Sequence, residues 1–273
     1  MPGLDLAAQA REQDSDRWLC ALFVPAERRD AAMALILLNA ELARIPEVVS
    51  QPITGAIRYQ WWRETIEGAA AGRPRAHPVA VGLAGPLARG WLAAADLEAL
   101  VDAREADLET LAPDNLDQLE RYAAATAGQL QVLTAKLLGA DARLVEAARR
   151  AGTAFGLVGL VRAAAAYARQ SRLVLPSDLM ASAAVDAEAL AARRMSAGLA
   201  DVVRRVVMRA GLLLEPRSPA PREQIAALLP AVVARDHVRQ IRRAGYDPFV
   251  AAGLARGPLV PARLWLAAAL GRA

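Results

Sequence analysis

Apolar positions in this chain of 273 residues recur at three- and four-residue steps, the spacing that places them on one side of an α-helix. The pattern is clear at Met33, Leu37, Leu38, Leu42 and Ile45, which follow the run Pro25-Ala-Glu-Arg-Arg-Asp. A proline and acids there suit the free N–H groups of a helix start. Pro46 is expected to kink or end this helix. A second helix begins near Pro52 and runs through Ile53, Ile57, Trp61 and Ile66 to Gly68, with a loop from Gly72 to Pro78. Leu83–Trp91 reads as another. Asp96 caps a helix that ends before Pro113, and Asn115 caps one carrying Leu119, Tyr122, Leu130 and Leu133. After a cap at Asp141 comes the stretch Gly152–Pro176, GTAFGLVGLVRAAAAYARQSRLVLP. Its small residues let neighbouring helices approach closely, so it is expected to be the central helix.

Helices near 186–214, 222–244 and 261–270 complete the series, with Pro216, Pro219 and Pro221 between the first two. Asp16–Phe23 reads as a short helical piece, and residues 1–15 as a flexible polar leader. Period-two alternation of β-branched residues is nearly absent, and no fixed-period repeat occurs. The expectation is an all-α bundle of about ten helices, forming one domain over residues 16–273.

Composition sharpens that picture. Hydrophobic residues make up 55% of the chain but aromatics only 4%, so the core must be built from Ala, Leu and Val. Ala and Leu are strong helix formers. The net charge of +4 is small and its arginines are scattered, which argues against nucleic acid as a partner. A single cysteine, Cys20, excludes a disulfide framework and a cysteine-rich zinc site, and fits a reducing compartment. The acid-bearing N-terminus lacks an apolar signal core, so a cytoplasmic location is expected. Arg162 interrupts the most apolar run, so no transmembrane segment is expected, although a mean hydropathy of +0.20 suits peripheral membrane contact.

The familiar catalytic patterns are missing: there is no Gly-rich phosphate loop, no HExxH and no serine elbow. The two histidines, His77 before a proline and His237 in a charged helix, read as surface residues.

Several stretches, in order, resemble the squalene/phytoene synthase family. They are DRWLCALFVPAERRDAAMAL at Asp16–Leu35, RYQWWRETIEG at Arg58–Gly68, YAAATAGQL at Tyr122–Leu130, the Gly152–Pro176 stretch ending in LVLP, and AGYDPF at Ala244–Phe249. The resemblance implies an isoprenoid-synthase-type helical bundle around a central cavity. It also implies two facing Asp-rich motifs, whose carboxylates hold Mg²⁺ against a departing diphosphate. This chain departs from that pattern. Aligned on LNAEL, the residues Ala43, Arg44, Ile45, Pro46 and Glu47 stand where Asp-Asp-x-x-Asp is expected. Aligned on Arg162 and RLVLP, Ala163, Ala164, Ala165, Ala166 and Tyr167 stand over Asp-x-x-Glu-Asp.

Alanine offers no oxygen, so the expectation is a chain with no catalytic residues, no bound metal and no cofactor. In this it looks like the non-catalytic phytoene-synthase-like branch, which includes the mitochondrial complex I assembly factor. That likeness implies a role in assembling the respiratory NADH:quinone oxidoreductase, with a complex I subunit or assembly intermediate as partner, peripheral at the inner membrane. Two other readings stay open. One is an active head-to-head prenyltransferase in which Glu41, Glu47 and Glu64 make an altered Mg²⁺ site. The other is an isoprenoid- or anionic-lipid-binding protein. For the latter, Arg162, Arg169 and Arg172 are expected on one face near the cavity mouth, as binders of an anionic head group. Trp62 and Tyr122 are expected to line the cavity.

Overall fold

The computed structural model describes residues 5–109, 112–215 and 217–273. Helices carry the chain throughout. The first half contains α1 (Leu6–Gln13), α2 (Ser15–Ala21), α3 (Ala26–Val48), α4 (Pro52–Ala70), α5 (Pro78–Ala88) and α6 (Ala94–Glu105), and a 3₁₀ turn, Ala106–Leu108, leads out of α6. Next, α7 (Leu116–Ala123), a π-helical turn (Ala124–Gly128) and α8 (Gln129–Leu137) run on without a break. The long α9 (Ala142–Arg169) precedes α10 (Ser177–Ser182), α11 (Ala187–Ala191) and α12 (Ala197–Leu213). A 3₁₀ turn at Ile225–Ala227 then leads to α13 (Pro230–Arg243), α14 (Pro248–Gly253) and α15 (Val260–Leu270). Among the described residues there is no β-strand, only an isolated bridge between Pro219 and Arg272. The all-α expectation holds.

The segmentation is finer than the apolar pattern predicts. The helix expected over 186–214 is two, because Arg193 adopts a left-handed φ of 57° between α11 and α12. The helix expected from Asp96 ends at Glu105. Thr110 and Leu111, the last residues of that expected helix, and Pro216, in an expected break, lie outside the described residues. The leader reading needs correction as well. Residues 1–4 lie outside the description, but Leu6–Gln13 is helical. The Asp5 carboxylate accepts from the amides of Ala7 and Ala8, and Ala10 is fully buried where α1 packs on α3.

Pro46 neither ends nor breaks α3, which continues to Val48. A proline has no N–H to give the carbonyl four residues earlier, here that of Leu42. The buried Tyr59 hydroxyl of α4 donates to that carbonyl instead, at 3.1 Å. A side chain from the next helix thus supplies the missing bond.

The centre of the fold is α9, as the small-residue pattern predicts. Asp141 caps it by accepting from the Leu144 amide at 2.8 Å. A Cβ on Gly152 would lie 2.5 Å from the Ala127 carbonyl oxygen, so only glycine lets α9 press against the π-helical turn. Helices α7, α8, α11, α12, α13 and α14 pack around α9. Two apolar clusters make up the core, and Phe155 of α9 packs against both. By length and mean hydropathy, α9 is the one helix among the described residues that could cross a bilayer, but 61% of its most apolar window is buried within the fold. That is how the core helix of a globular bundle is placed.

Candidate functional site

The end of α6, the start of α7 and the segment after α9 enclose a cavity of about 420 Å³. Its walls include Ala103, Pro113, Leu119, Tyr122, Leu173 and Val174, and its polar lining comes from Asp107, Glu109, Gln118, Arg121 and Arg172. Asp107 lies one turn beyond Arg104 at the 3₁₀ exit of α6, so the two side chains meet. Arg104 donates through Nη1 to Asp107 Oδ2 at 3.3 Å and to the Tyr122 hydroxyl at 3.1 Å, and through Nη2 to Asn39 Oδ1 at 3.0 Å. Arg172 donates to the other Asp107 carboxylate oxygen and, at 3.3 Å, to the Tyr122 hydroxyl. The Asp107 side chain is only 1% exposed, so one buried carboxylate is shared by two guanidinium groups.

Burial and charge act together on these groups. Burial pushes the Tyr122 hydroxyl up to about 12, against the opposing pull of Arg104. Burial alone would lower the pKa of Arg104 and of Arg172, but neighbouring Asp107 and Tyr122 outweigh it and both end above the ordinary arginine value. The cluster is therefore fully ionised on the arginine side. The Tyr167 ring closes it, with the Arg172 guanidinium 4.9 Å from the ring centre.

Continuous helix is what would put Arg162, Arg169 and Arg172 on one face, and the structure does not provide it. α9 stops at Arg169, and Ser171 takes a left-handed φ of 59° that turns the chain. Arg172 therefore reaches back to the cavity, while Arg169 stays exposed at the last turn. Arg162 points elsewhere. It donates to the carbonyls of Ala251 at 3.2 Å and Leu254 at 2.6 Å, satisfying the C-terminal end of α14. It also lies 3.0 Å from His237 Nε2. His237 is not a surface residue: it is 3% exposed, and Nε2 sits 2.9 Å from Asp16 Oδ2. The charges around it are internally paired, so a polar-looking helix face is turned inward.

Tyr122 is among the residues that line this cavity, and Trp62 is not. Trp62 lines a separate depression of about 340 Å³ with Glu41, Arg44, Arg58 and Trp61. Its ring stands edge-on to Trp61 and His77, at 5.0 and 5.2 Å between centres. At the positions the resemblance assigns to the first metal motif, Ala43 is half-buried while Arg44 and Glu47 are exposed on the last turns of α3. At the second, Ala163 and Tyr167 are half-buried and Ala166 is exposed. Among the described residues, no three acids, histidines or cysteines gather closely enough to hold a metal ion. Arg104, Asp107, Asn39 and Tyr59 escaped the sequence reading. The one signal was the three-residue step from Arg104 to Asp107, which a solvated surface pair shares.

Residues 10–265 match the squalene/phytoene synthase family. The chain belongs to that family. Among curated proteins it is 32% identical to bovine (Bos taurus) NADH dehydrogenase (ubiquinone) complex I, assembly factor 6, over 94% of this chain and 78% of the bovine protein. It is 31% identical to the human protein of the same name, with the same coverage. The Drosophila melanogaster homolog is 26% identical over 95% of this chain and 81% of its own length. Among solved structures, a squalene synthase from Alicyclobacillus acidocaldarius superposes with a TM-score of 0.76 at 18% identity, covering 90% of this chain and 95% of that one. A dehydrosqualene synthase in complex with ligand gives 0.78 at 15% identity, covering 97% and 94%. At those identities the likeness is one of fold: the bundle is of the isoprenoid-synthase type. Within this squalene/phytoene synthase fold, the cavity beside Tyr122 and Arg172 is the candidate site.

Proposed function

We propose that this chain is a non-catalytic member of the squalene/phytoene synthase family that assists assembly of the respiratory NADH:quinone oxidoreductase at the inner membrane. The observation that carries this reading is the 32% identity, over 94% of the chain, to a protein named as a complex I assembly factor. The chemistry of the candidate metal positions supports it. Of Ala43, Arg44, Glu47, Ala163, Ala166 and Tyr167, one residue is a carboxylate, and Arg44 adds positive charge beside it. That donor set does not fit a magnesium cluster, which needs several oxygen ligands per ion. The buried Asp107 is already held by two arginines. A partner drawn from complex I subunits or their assembly intermediates follows from the same likeness.

The test is a deletion strain. Its membranes should lose assembled NADH dehydrogenase on native gels and lose NADH-driven respiration, with isoprenoid content unchanged. Normal NADH dehydrogenase together with a missing isoprenoid would reverse the reading. So would Mg²⁺-dependent release of diphosphate from farnesyl diphosphate by the purified protein.

A lipid- or isoprenoid-binding role is favoured by one separate observation, the largely apolar cavity with Arg172 at its edge. Saturable binding of a prenyl phosphate, lost when Leu119 is enlarged to Trp, would support it.

A further inference from the structure

The outer face of α15 is apolar along its whole length. Pro261, Ala262, Trp265, Leu266, Ala269 and Leu270 are exposed, while Val260, Leu264 and Ala267 face the core. Trp265 is 66% exposed, Leu266 51% and Leu270 70%. These residues fall in two adjacent four-residue rows, so they form one continuous patch rather than scattered contacts. A single exposed leucine needs no explanation, but an unbroken apolar helix face does.

The surrounding charge identifies what covers it. No Asp or Glu follows Asp247, whereas Arg256, Arg263 and Arg272 all do. The acids that meet these arginines are outnumbered. Asp236 pairs with both Arg239 and Arg263, at 3.0 and 2.9 Å. Asp16 takes Arg256 at 2.9 Å and also feels Arg162. Within residues 260–273 the charged side chains are Arg263 and Arg272, both cations. Protein interfaces of this apolarity are bordered by polar groups that pair with a partner. Tryptophan and leucine on one face with arginines at the margin is instead the composition of a helix lying in a bilayer surface. At 11 residues, α15 is about half the length needed to span a membrane, so it lies flat.

We propose that α15 is a membrane-contact helix, which seats Trp265, Leu266 and Leu270 among the acyl chains of an anionic bilayer and sets Arg263 and Arg272 against the lipid phosphates. The inference deepens the assembly reading and rests on it for its setting at a membrane. The full-length protein should sediment with vesicles of equal parts phosphatidylcholine and phosphatidylglycerol, and much less with phosphatidylcholine alone. The variant Trp265→Ser/Leu266→Ser/Leu270→Ser should bind the anionic vesicles at least about tenfold more weakly, since three large side chains leave the lipid. Because all three are exposed, its melting temperature should stay near that of the parent. Should that variant misfold, brominated lipid gives a second reading: it should quench the parent's fluorescence, and the quenching should vanish in Trp265→Phe. Equal vesicle binding by parent and serine variant, or no binding by either, overturns the proposal. So does a serine variant that loses a dimer in light scattering with its vesicle binding intact, which would make a second copy of the chain the occupant. Vesicle binding is read on purified protein and NADH dehydrogenase assembly in cells, so either result can fail without the other.

Discussion

Replacing Asp107 with Asn should be among the most damaging single changes in this protein. The side chain is 1% exposed and lies between Arg104 and Arg172, whose own side chains are 11% and 13% exposed. Asparagine keeps the shape but removes the charge, leaving two buried guanidinium groups facing each other. Breaking a buried ion pair by removing one partner costs about 3–5 kcal/mol. In a protein of this size each kcal/mol moves the melting temperature by about 2–4 °C, so the expected fall is roughly 6–20 °C. The order of variants is the sharper test. Arg172→Met leaves Asp107 and Arg104 as a matched pair, so it should cost clearly less than Asp107→Asn. Both are read by calorimetry and by urea unfolding followed by circular dichroism. The freed arginines should also make the Asp107→Asn protein responsive to inorganic phosphate, which would raise its melting temperature while leaving the parent's unchanged. If Asp107→Asn costs less than about 1 kcal/mol, or less than Arg172→Met, the carboxylate is not the shared buried counter-ion described here.

Tyr59→Phe should cost about 1–3 kcal/mol, because it leaves the buried Leu42 carbonyl without a donor, and it should cost less in a Pro46→Ala background, where residue 46 regains an N–H; a double-mutant cycle in urea measures the difference. Gly152→Ala should destabilise by about 1–3 kcal/mol through its clash with the Ala127 carbonyl and Gln131, whereas Gly159→Ala, with nothing near its Cβ, should stabilise by roughly 0.5–1 kcal/mol. Burial holds His77 below its ordinary value of 6.5, so the unfolded chain takes up a proton first as pH falls and stability should drop below pH 6.5; His77→Gln should remove that slope from a pH series of melting curves. Asp16 and Asp236 are held below the ordinary carboxylate value of 3.8 by their hydrogen-bond and charge partners despite burial, so the stability they add is present above that pH and should be lost as pH falls below it. The Cys20 thiol is buried and pushed up by desolvation, so a thiol reagent should label it only as the protein unfolds.

The helices were legible because their signals are local. Asp141 and Asn115 cap where their side-chain chemistry says they should, and the glycines and alanines of α9 mark the central packing face. What escaped was set by groups distant in sequence. Pro46 reads as a breaker until Tyr59 arrives from α4, and no local rule foresees that hydroxyl. The spacing of Arg162, Arg169 and Arg172 assumed a helix that Ser171 interrupts, since nothing about a serine announces a left-handed backbone. His237 looked solvated because its neighbours are charged, yet those charges are spent on one another. The cluster around Asp107 could not be assembled from the sequence. It draws Asn39, Arg104, Tyr122 and Arg172 from four separated segments, and although Tyr122 and Arg172 stood out in the sequence, Asn39, Arg104 and Asp107 read as ordinary surface residues.

The shared carboxylate also imposes a timetable on synthesis. Asp107 and Arg104 leave the ribosome together, but Arg172 follows 65 residues behind Asp107. At about 5–20 residues per second, the nascent chain spends roughly 3–13 s with its ionic knot tied to one arginine instead of two. A chain stopped within that interval lacks the second guanidinium group at Asp107, together with the wall that Leu173 and Val174 give the cavity beside Tyr122.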